Sequence, residues 1–150
     1  MLEYRTYIDE NGRNCLKKMR KIQWKGMLNT PKKIEEFMKK EYQMEQLAEE
    51  YAYIIAVDTS SKIIGVFEVA HGTNQQIQMS NREIFIRLCL CGATSFFLVH
   101  NHPSGETIPS KSDISNTQEV KKAGELMGIE LLDHIIIGKD YCSFREHNLL

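Results

Sequence analysis

The chain has 150 residues, of which 42% are hydrophobic and 26% charged, and its formal net charge is −1 at pH 7. This length fits one domain with a substantial buried core, and the composition excludes an intrinsically disordered protein. The apolar runs, such as residues 129–138, are too short to span a membrane. The first residues also lack the basic-then-apolar layout of a signal peptide. We therefore expect a cytoplasmic protein without membrane association.

Basic residues are concentrated in one part of the chain. Nine lysine and arginine residues fall between Lys17 and Lys40, against Glu35 and Glu36. Such a stretch can face nucleic acid or an acidic partner, although a solvated face is the more common explanation. A chain that is nearly neutral overall does not favour a dedicated nucleic-acid binder.

The first third of the chain predicts a hairpin followed by a helix. Asn11-Gly12 is typical of a tight turn between two strands. Thr30 and Pro31 then supply a helix N-cap and a first-turn proline. The helix that follows carries an apolar stripe that indicates core packing, formed by Ile34, Phe37, Met38 and Tyr42.

The remainder alternates between strands and helices. Residues 51–58 and 62–70 predict a second hairpin, and Ser80 with Glu83 is a capping-box signal for a helix that ends at Gly92. Further strands are predicted at 94–102, 129–137 and 141–144, with a helix from Ser110 to Gly128 between the first two. This mixture predicts an α/β or α+β sandwich with a mixed sheet.

The stretch from His100 to Asp113 indicates a metal site. His100 and His102 lie two apart at the end of an apolar strand, so both imidazoles share one face. Asp113 falls on the first turn of the next helix, which the intervening loop can bring back over the histidines. Two imidazoles and one carboxylate leave the fourth tetrahedral position of zinc open for water, as in catalytic sites.

Such chemistry needs a general base, and Glu68 is the candidate that the sequence suggests. Alternation along the strand places it on the same face as Ile64, Val66 and Ala70, where a carboxylate requires a partner. Each piece also has a simpler explanation. An isolated His-x-His pair is usually not a metal site, and Ser110 with Asp113 also reads as a helix capping box. Capping and a functional contact are compatible for Ser110, because a capping hydroxyl can also point towards a metal-bound water.

These residues resemble a known family. His-Asn-His-Pro-Ser-Gly at 100–105, followed by Pro109-Ser110-x-x-Asp113, is similar to the metal motif of JAMM (JAB1/MPN) domains in its RadC-like form. The similarity covers about residues 28–147, so we expect a RadC-like JAB/MPN domain over 28–150. Residues 1–27 are expected to form N-terminal strands of the same single domain.

The resemblance implies a cytidine-deaminase-like α-β-α sandwich with a mixed sheet. It implies one zinc ion held by His100, His102 and Asp113, with Glu68 as general base. Ser110 would hydrogen-bond the zinc water and stabilise the oxyanion. Asp133 and His134 either support the site from behind or make an ordinary strand-end hydrogen bond.

The residues and the resemblance together suggest three alternative functions. The leading one is a zinc-dependent metallopeptidase or isopeptidase acting on a peptide or isopeptide substrate. The alternatives are a DNA-repair-associated protein that binds nucleic acid through the basic stretch, and a non-catalytic MPN scaffold. The sequence leaves the oligomeric state and the substrate open.

Overall fold

A seven-stranded mixed sheet forms the centre of the molecule. The computed structural model describes all 150 residues. The strands are β1 (Leu2–Ile8), β2 (Asn14–Lys21), β3 (Tyr51–Val57), β4 (Ile63–His71), β5 (Ser95–Asn101), β6 (Glu130–Ile137) and β7 (Tyr141–Ser143). The helices are α1 (Pro31–Tyr42), α2 (Asn81–Cys91) and α3 (Lys111–Met127), with a 3-10 turn at Met44–Gln46.

The strands lie in the order β2-β1-β4-β3-β5-β6-β7. Pairs β1–β4 and β5–β6 are parallel, and the other four pairs are antiparallel. The parallel pairing of β5 and β6 requires a crossover, which α3 provides. The predicted α/β sandwich with a mixed sheet is therefore confirmed. The N-terminal hairpin joins the same sheet through β1.

Helices cover both faces of the sheet. On one face, α1 packs its predicted stripe against the central strands, and Ile34, Phe37 and Met38 are fully buried. On the other face, α2 and α3 enclose a second apolar cluster that includes Leu88 and Val120. We call these the α1 face and the α3 face. No helix is long and apolar enough to cross a membrane.

The local signals at the element ends are formed with one exception. Gly12 adopts a left-handed backbone conformation in the predicted turn, and Thr30 accepts a hydrogen bond from the backbone N–H of Lys33. The capping box expected at Ser80 is only half formed. Ser80 Oγ accepts from the backbone of Glu83, but the Glu83 carboxylate turns outward to pair with arginines.

Candidate metal centre

Strand β5 delivers the two histidines of the metal motif. His100 is the penultimate residue of β5 and is fully buried, whereas His102 lies just beyond the strand and is partly accessible. The backbone N–H of His102 still donates to the carbonyl of Ile137, which continues the pairing with β6. The two side chains therefore emerge on one face, and their Nε2 atoms are 3.0 Å apart.

Asp113 reaches the histidines from the first turn of α3. Its Oδ1 lies 3.3 Å from His100 Nε2, and its Oδ2 lies 3.4 Å from His102 Nε2. The carboxylate is held in place by the backbone N–H of Ser110, which donates to Oδ2 over 2.7 Å. Candidate ligand atoms of the three residues all lie within 4.8 Å of one another. Two imidazole nitrogens and a carboxylate oxygen at such spacing fit a three-ligand zinc site with one position left open.

Electrostatics favour an ionised carboxylate at this position. Burial raises the pKa of Asp113, but hydrogen bonds from His100, His102 and Ser110 outweigh it and hold that pKa well below the usual value. Burial lowers the pKa of His102, and the Asp113 carboxylate more than compensates, so that this pKa lies above its usual value of 6.5. The cluster therefore presents a fixed negative charge to a cation.

The Ser110 hydroxyl group can accept one hydrogen bond through its oxygen and donate another through its hydrogen. Its Oγ accepts from the backbone N–H of Asp113 over 3.0 Å, which completes the capping box of α3. The hydroxyl proton is not used by that bond, because Oγ acts there only as an acceptor. Ser110 also lines the cleft beside the histidines. The hydroxyl can therefore donate to a carbonyl oxygen placed in the cleft.

Glu68 does not lie at this site, and its assignment as general base is corrected here. It is exposed and lies opposite Tyr53, which is itself opposite Val99. Tyr53 and Val99 belong to the cluster on the α1 face, whereas His100 lies one residue further along β5 and points to the α3 face. The Glu68 carboxylate is instead beside the Tyr53 hydroxyl. Burial raises the pKa of that hydroxyl, and the negative charge of Glu68 raises it further.

Glu50 occupies the position that Glu68 was expected to fill. It immediately precedes β3, is 7% exposed, and lines the same cleft as His102 and Asp113. Burial raises the pKa of Glu50, an effect that His100 and His102 partly offset. A buried carboxylate with a raised pKa beside a candidate metal site has the properties expected of a general base.

The cleft above the cluster has a volume of about 280 Å³. Its lining combines Glu50, His102, Ser110 and Asp113 with the amide-bearing residues 74–76. No lysine or arginine lines it. The cleft therefore offers a phosphate group none of the lysine or arginine side chains that usually bind it.

Comparison with known proteins agrees with this geometry. The profile of the RadC-like JAB domain matches residues 28–149. The chain belongs to this family. The family resemblance predicted from the metal motif is thus confirmed.

Among the curated relatives of this chain are three that are named as UPF0758 proteins. One from Pelobacter propionicus is 40% identical over 110 residues, covering 73% of this chain and 48% of the relative. Another from Clostridium tetani is 41% identical over 109 residues, covering 72% and 48%. A third from Syntrophomonas wolfei is 34% identical over 133 residues, covering 86% and 56%. The chain spans about half the length of the curated relatives it matches.

Behind the metal cluster of the JAB domain, the structure separates Asp133 from His134. Neighbouring residues on a strand point to opposite faces. His134 is fully buried on the α3 face, and its Nε2 lies 2.7 Å from His100 Nδ1. Burial lowers the pKa of His134 well below its usual value. Asp133 instead accepts hydrogen bonds from the Ser143 hydroxyl and the Arg145 backbone, so of the two alternatives expected for it, the strand-end hydrogen bond is the one that the structure contains.

Asn101 is a further site residue that the sequence analysis did not single out. Its side chain is fully buried. Its Oδ1 accepts from the backbone N–H of Tyr51 over 2.7 Å, and its Nδ2 donates to the carbonyl of Glu49 over 3.0 Å. These two bonds bracket Glu50. The signal was present in the sequence as the polar residue between the two histidines.

Proposed function

We propose that this JAB domain is a zinc-dependent hydrolase that cleaves amide bonds in peptides or isopeptides. The observation that carries the proposal is the placement of Glu50 in one cleft with His102 and Asp113, two of the three candidate ligands. His100 completes the ligand set from beneath. When bound there, zinc supplies Lewis-acid activation of water and of a carbonyl oxygen.

Two carboxylates in the cleft have pKa values shifted in opposite directions. The pKa of Asp113 is lowered by its hydrogen bonds, which suits a permanent ligand. The pKa of Glu50 is raised by burial, which suits a group that gains and loses a proton. Such a separation assigns the acid–base function to one carboxylate and the electrostatic function to the other.

The protein groups then divide the reaction between them. Glu50 takes a proton from the attacking water as the carbon–oxygen bond forms. The Ser110 hydroxyl donates a hydrogen bond to the carbonyl oxygen, on which negative charge develops. Glu50 then passes its proton to the nitrogen of the leaving amine as the carbon–nitrogen bond breaks, and this restores the carboxylate.

The composition of the cleft favours an amide over a phosphodiester. No lysine or arginine lines it, and phosphate groups are bound chiefly by such cations. Outside the cleft, part of the basic stretch is neutralised. Arg20 pairs with Glu3 and Glu41, while Glu35 pairs with two lysines of α1. These ion pairs count against the nucleic-acid alternative, and the complete ligand set counts against a scaffold that binds no metal.

The test compares two glutamates in the zinc-loaded protein. Wild type, Glu50→Gln and Glu68→Gln are incubated with a peptide library and with lysine-isopeptide conjugates, and cleavage is followed by mass spectrometry. We expect Glu50→Gln to slow cleavage by about 10²–10⁴-fold with unchanged zinc content, as for loss of a general base. Glu68→Gln is the matched control and should cleave like wild type.

Two results would refute the proposal. Equal rates for Glu50→Gln and wild type would remove the mechanism. If the zinc-loaded wild type cleaves no peptide or isopeptide in the library, the domain is better explained as a scaffold that binds metal without hydrolysing amides.

A further inference from the structure

A buried chain of hydrogen bonds runs from α3 to the innermost metal ligand. The Thr117 hydroxyl oxygen lies 2.6 Å from His134 Nδ1, and His134 Nε2 lies 2.7 Å from His100 Nδ1. All three residues are fully buried, so no water competes for these contacts. Each contact needs one proton, and the position of one proton therefore determines the others.

The direction of this chain is set at Thr117. Its hydroxyl oxygen also lies 2.5 Å from the backbone carbonyl oxygen of Asp113. A carbonyl oxygen can only accept a hydrogen bond, and a hydroxyl has a single proton to donate. The Thr117 proton is thus used by the Asp113 carbonyl. The hydroxyl oxygen must then accept the proton carried by His134 Nδ1.

The same logic extends to His100. The hydrogen-bond partners of His134 are Thr117 and His100, neither of them a carboxylate. A fully buried ring with neutral partners stays neutral, and a neutral imidazole with a proton on Nδ1 has a lone pair on Nε2. His134 Nε2 therefore accepts the Nδ1–H of His100. When His100 is neutral, having lost the proton that Nε2 can share with Asp113, its lone pair is therefore on Nε2, the atom that lies 3.3 Å from Asp113 Oδ1.

We propose that Thr117 and His134 are positioning residues that hold His100 in its Nδ1–H tautomer before any metal arrives. The opposite tautomer would place a proton on Nε2, where the metal must bind. Hydrogen bonding of the outer nitrogen also raises the basicity of a histidine ligand. The other histidine is fixed differently, because His102 Nδ1 lies 3.0 Å from the backbone carbonyl of Glu106. Only the His100 tautomer is thus controlled by side chains.

This inference rests on the metal binding that the proposed function requires, and not on hydrolysis. It is tested with Thr117→Val, which removes the hydroxyl but keeps the branched shape. Thr117→Ser is the matched control because it keeps the hydroxyl. Zinc affinity is measured by competition with a chelating indicator. We expect Thr117→Val to weaken zinc binding by about 10–100-fold, as for loss of outer partners at other metal sites, and Thr117→Ser to stay close to wild type.

A second readout separates positioning from general destabilisation. Nitrogen-15 NMR of the histidine rings in the metal-free protein reports which nitrogen of His100 is protonated. We expect Nδ1–H in wild type and Thr117→Ser. In Thr117→Val, His134 loses its acceptor and is free to carry its proton on Nε2, so His100 should shift towards the Nε2–H form.

Each outcome decides between the two proposals. A neutral wild-type His100 that carries its proton on Nε2 would overturn the inference, as would a Thr117→Val variant with wild-type zinc affinity. If wild type binds no zinc, the proposed function fails, and the NMR result alone decides the tautomer. If zinc binds and the tautomer is Nδ1–H but no amide is cleaved, the inference stands and the proposed function fails.

Discussion

Replacement of Asn101 by alanine tests how the base and the ligands are joined. The Asn101 side chain is fully buried and makes two hydrogen bonds, to the backbone N–H of Tyr51 and to the carbonyl of Glu49. Asn101→Ala leaves both backbone groups without their partner. A buried polar group left unpaired costs about 1–3 kcal/mol.

The structure narrows this range for each group. Tyr51 is half-buried at the start of β3, so its N–H should cost about 1–2 kcal/mol. Glu49 is exposed, and its carbonyl can recruit water at about 1 kcal/mol or less. We therefore expect Asn101→Ala to lower the free energy of unfolding by about 1–3 kcal/mol. This is a large share of the 5–15 kcal/mol typical of a domain.

Urea unfolding of the metal-free protein, followed by circular dichroism, measures this loss. Asn116→Ala is the control, because Asn116 is half-buried on α3 and makes only one contact, at 3.5 Å. That variant should stay within about 0.5 kcal/mol of wild type. Asn101→Asp should be no more stable than Asn101→Ala at neutral pH, since it turns a carboxylate oxygen towards the Glu49 carbonyl. An Asn101→Ala variant as stable as wild type would refute the reasoning.

Three further predictions concern the metal and the loop that follows His102. Elemental analysis should find about one zinc per chain in wild type and in His147→Ala but none in His102→Ala. His147 is the control because its side chain contacts the backbone carbonyl of Ser143 and not the candidate ligands. Equal zinc in both variants would contradict the ligand assignment. Zinc affinity measured by titration calorimetry should fall as the pH is lowered through the raised pKa of His102, since a proton on Nε2 excludes the metal; a pH-independent affinity would contradict this sign. Gly138→Ala should destabilise the fold by about 1–3 kcal/mol in urea unfolding, because a Cβ there would lie 2.4 Å from the carbonyl oxygen of Gly105; wild-type stability would mean that the loop moves freely.

The local features of the sequence predicted most of the fold. The helix start at Thr30 and Pro31 and the turn at Gly12 form as expected, because each depends only on residues a few positions away. The candidate metal ligands could be predicted for the same reason, since residues 100–113 contain both the strand end and the helix start. The capping box of Ser110 needs the same Asp113 that faces the histidines, so one local motif fixes the helix and the carboxylate together.

The candidate base, Glu50, could not be predicted from local features, for a specific physical reason. Alternation along β4 placed Glu68 and Ala70 on one face, but the register shifts between Ala52 and Tyr53. Ala70 pairs with Ala52 beside His100, whereas Glu68 pairs with Tyr53. A bulge inserts a residue and reverses the alternation. No local signal in the sequence marks that extra residue.

The same limit applies to Asp133 and His134. Adjacent strand residues must face opposite ways, but the sequence does not say which of the two faces carries α3. Thr117 decides this in the structure by its contact with His134. Assignments that depend on non-local pairing thus required the structure.

The candidate metal ligands and the candidate base are encoded in separate parts of the chain. All candidate ligands come from residues 100–113, whereas the candidate base precedes β3 at position 50. A descendant of this gene could therefore lose Glu50 in one mutational step and still inherit all three candidate metal ligands. Among relatives, the residue at position 50 would then distinguish hydrolases from metal-carrying scaffolds.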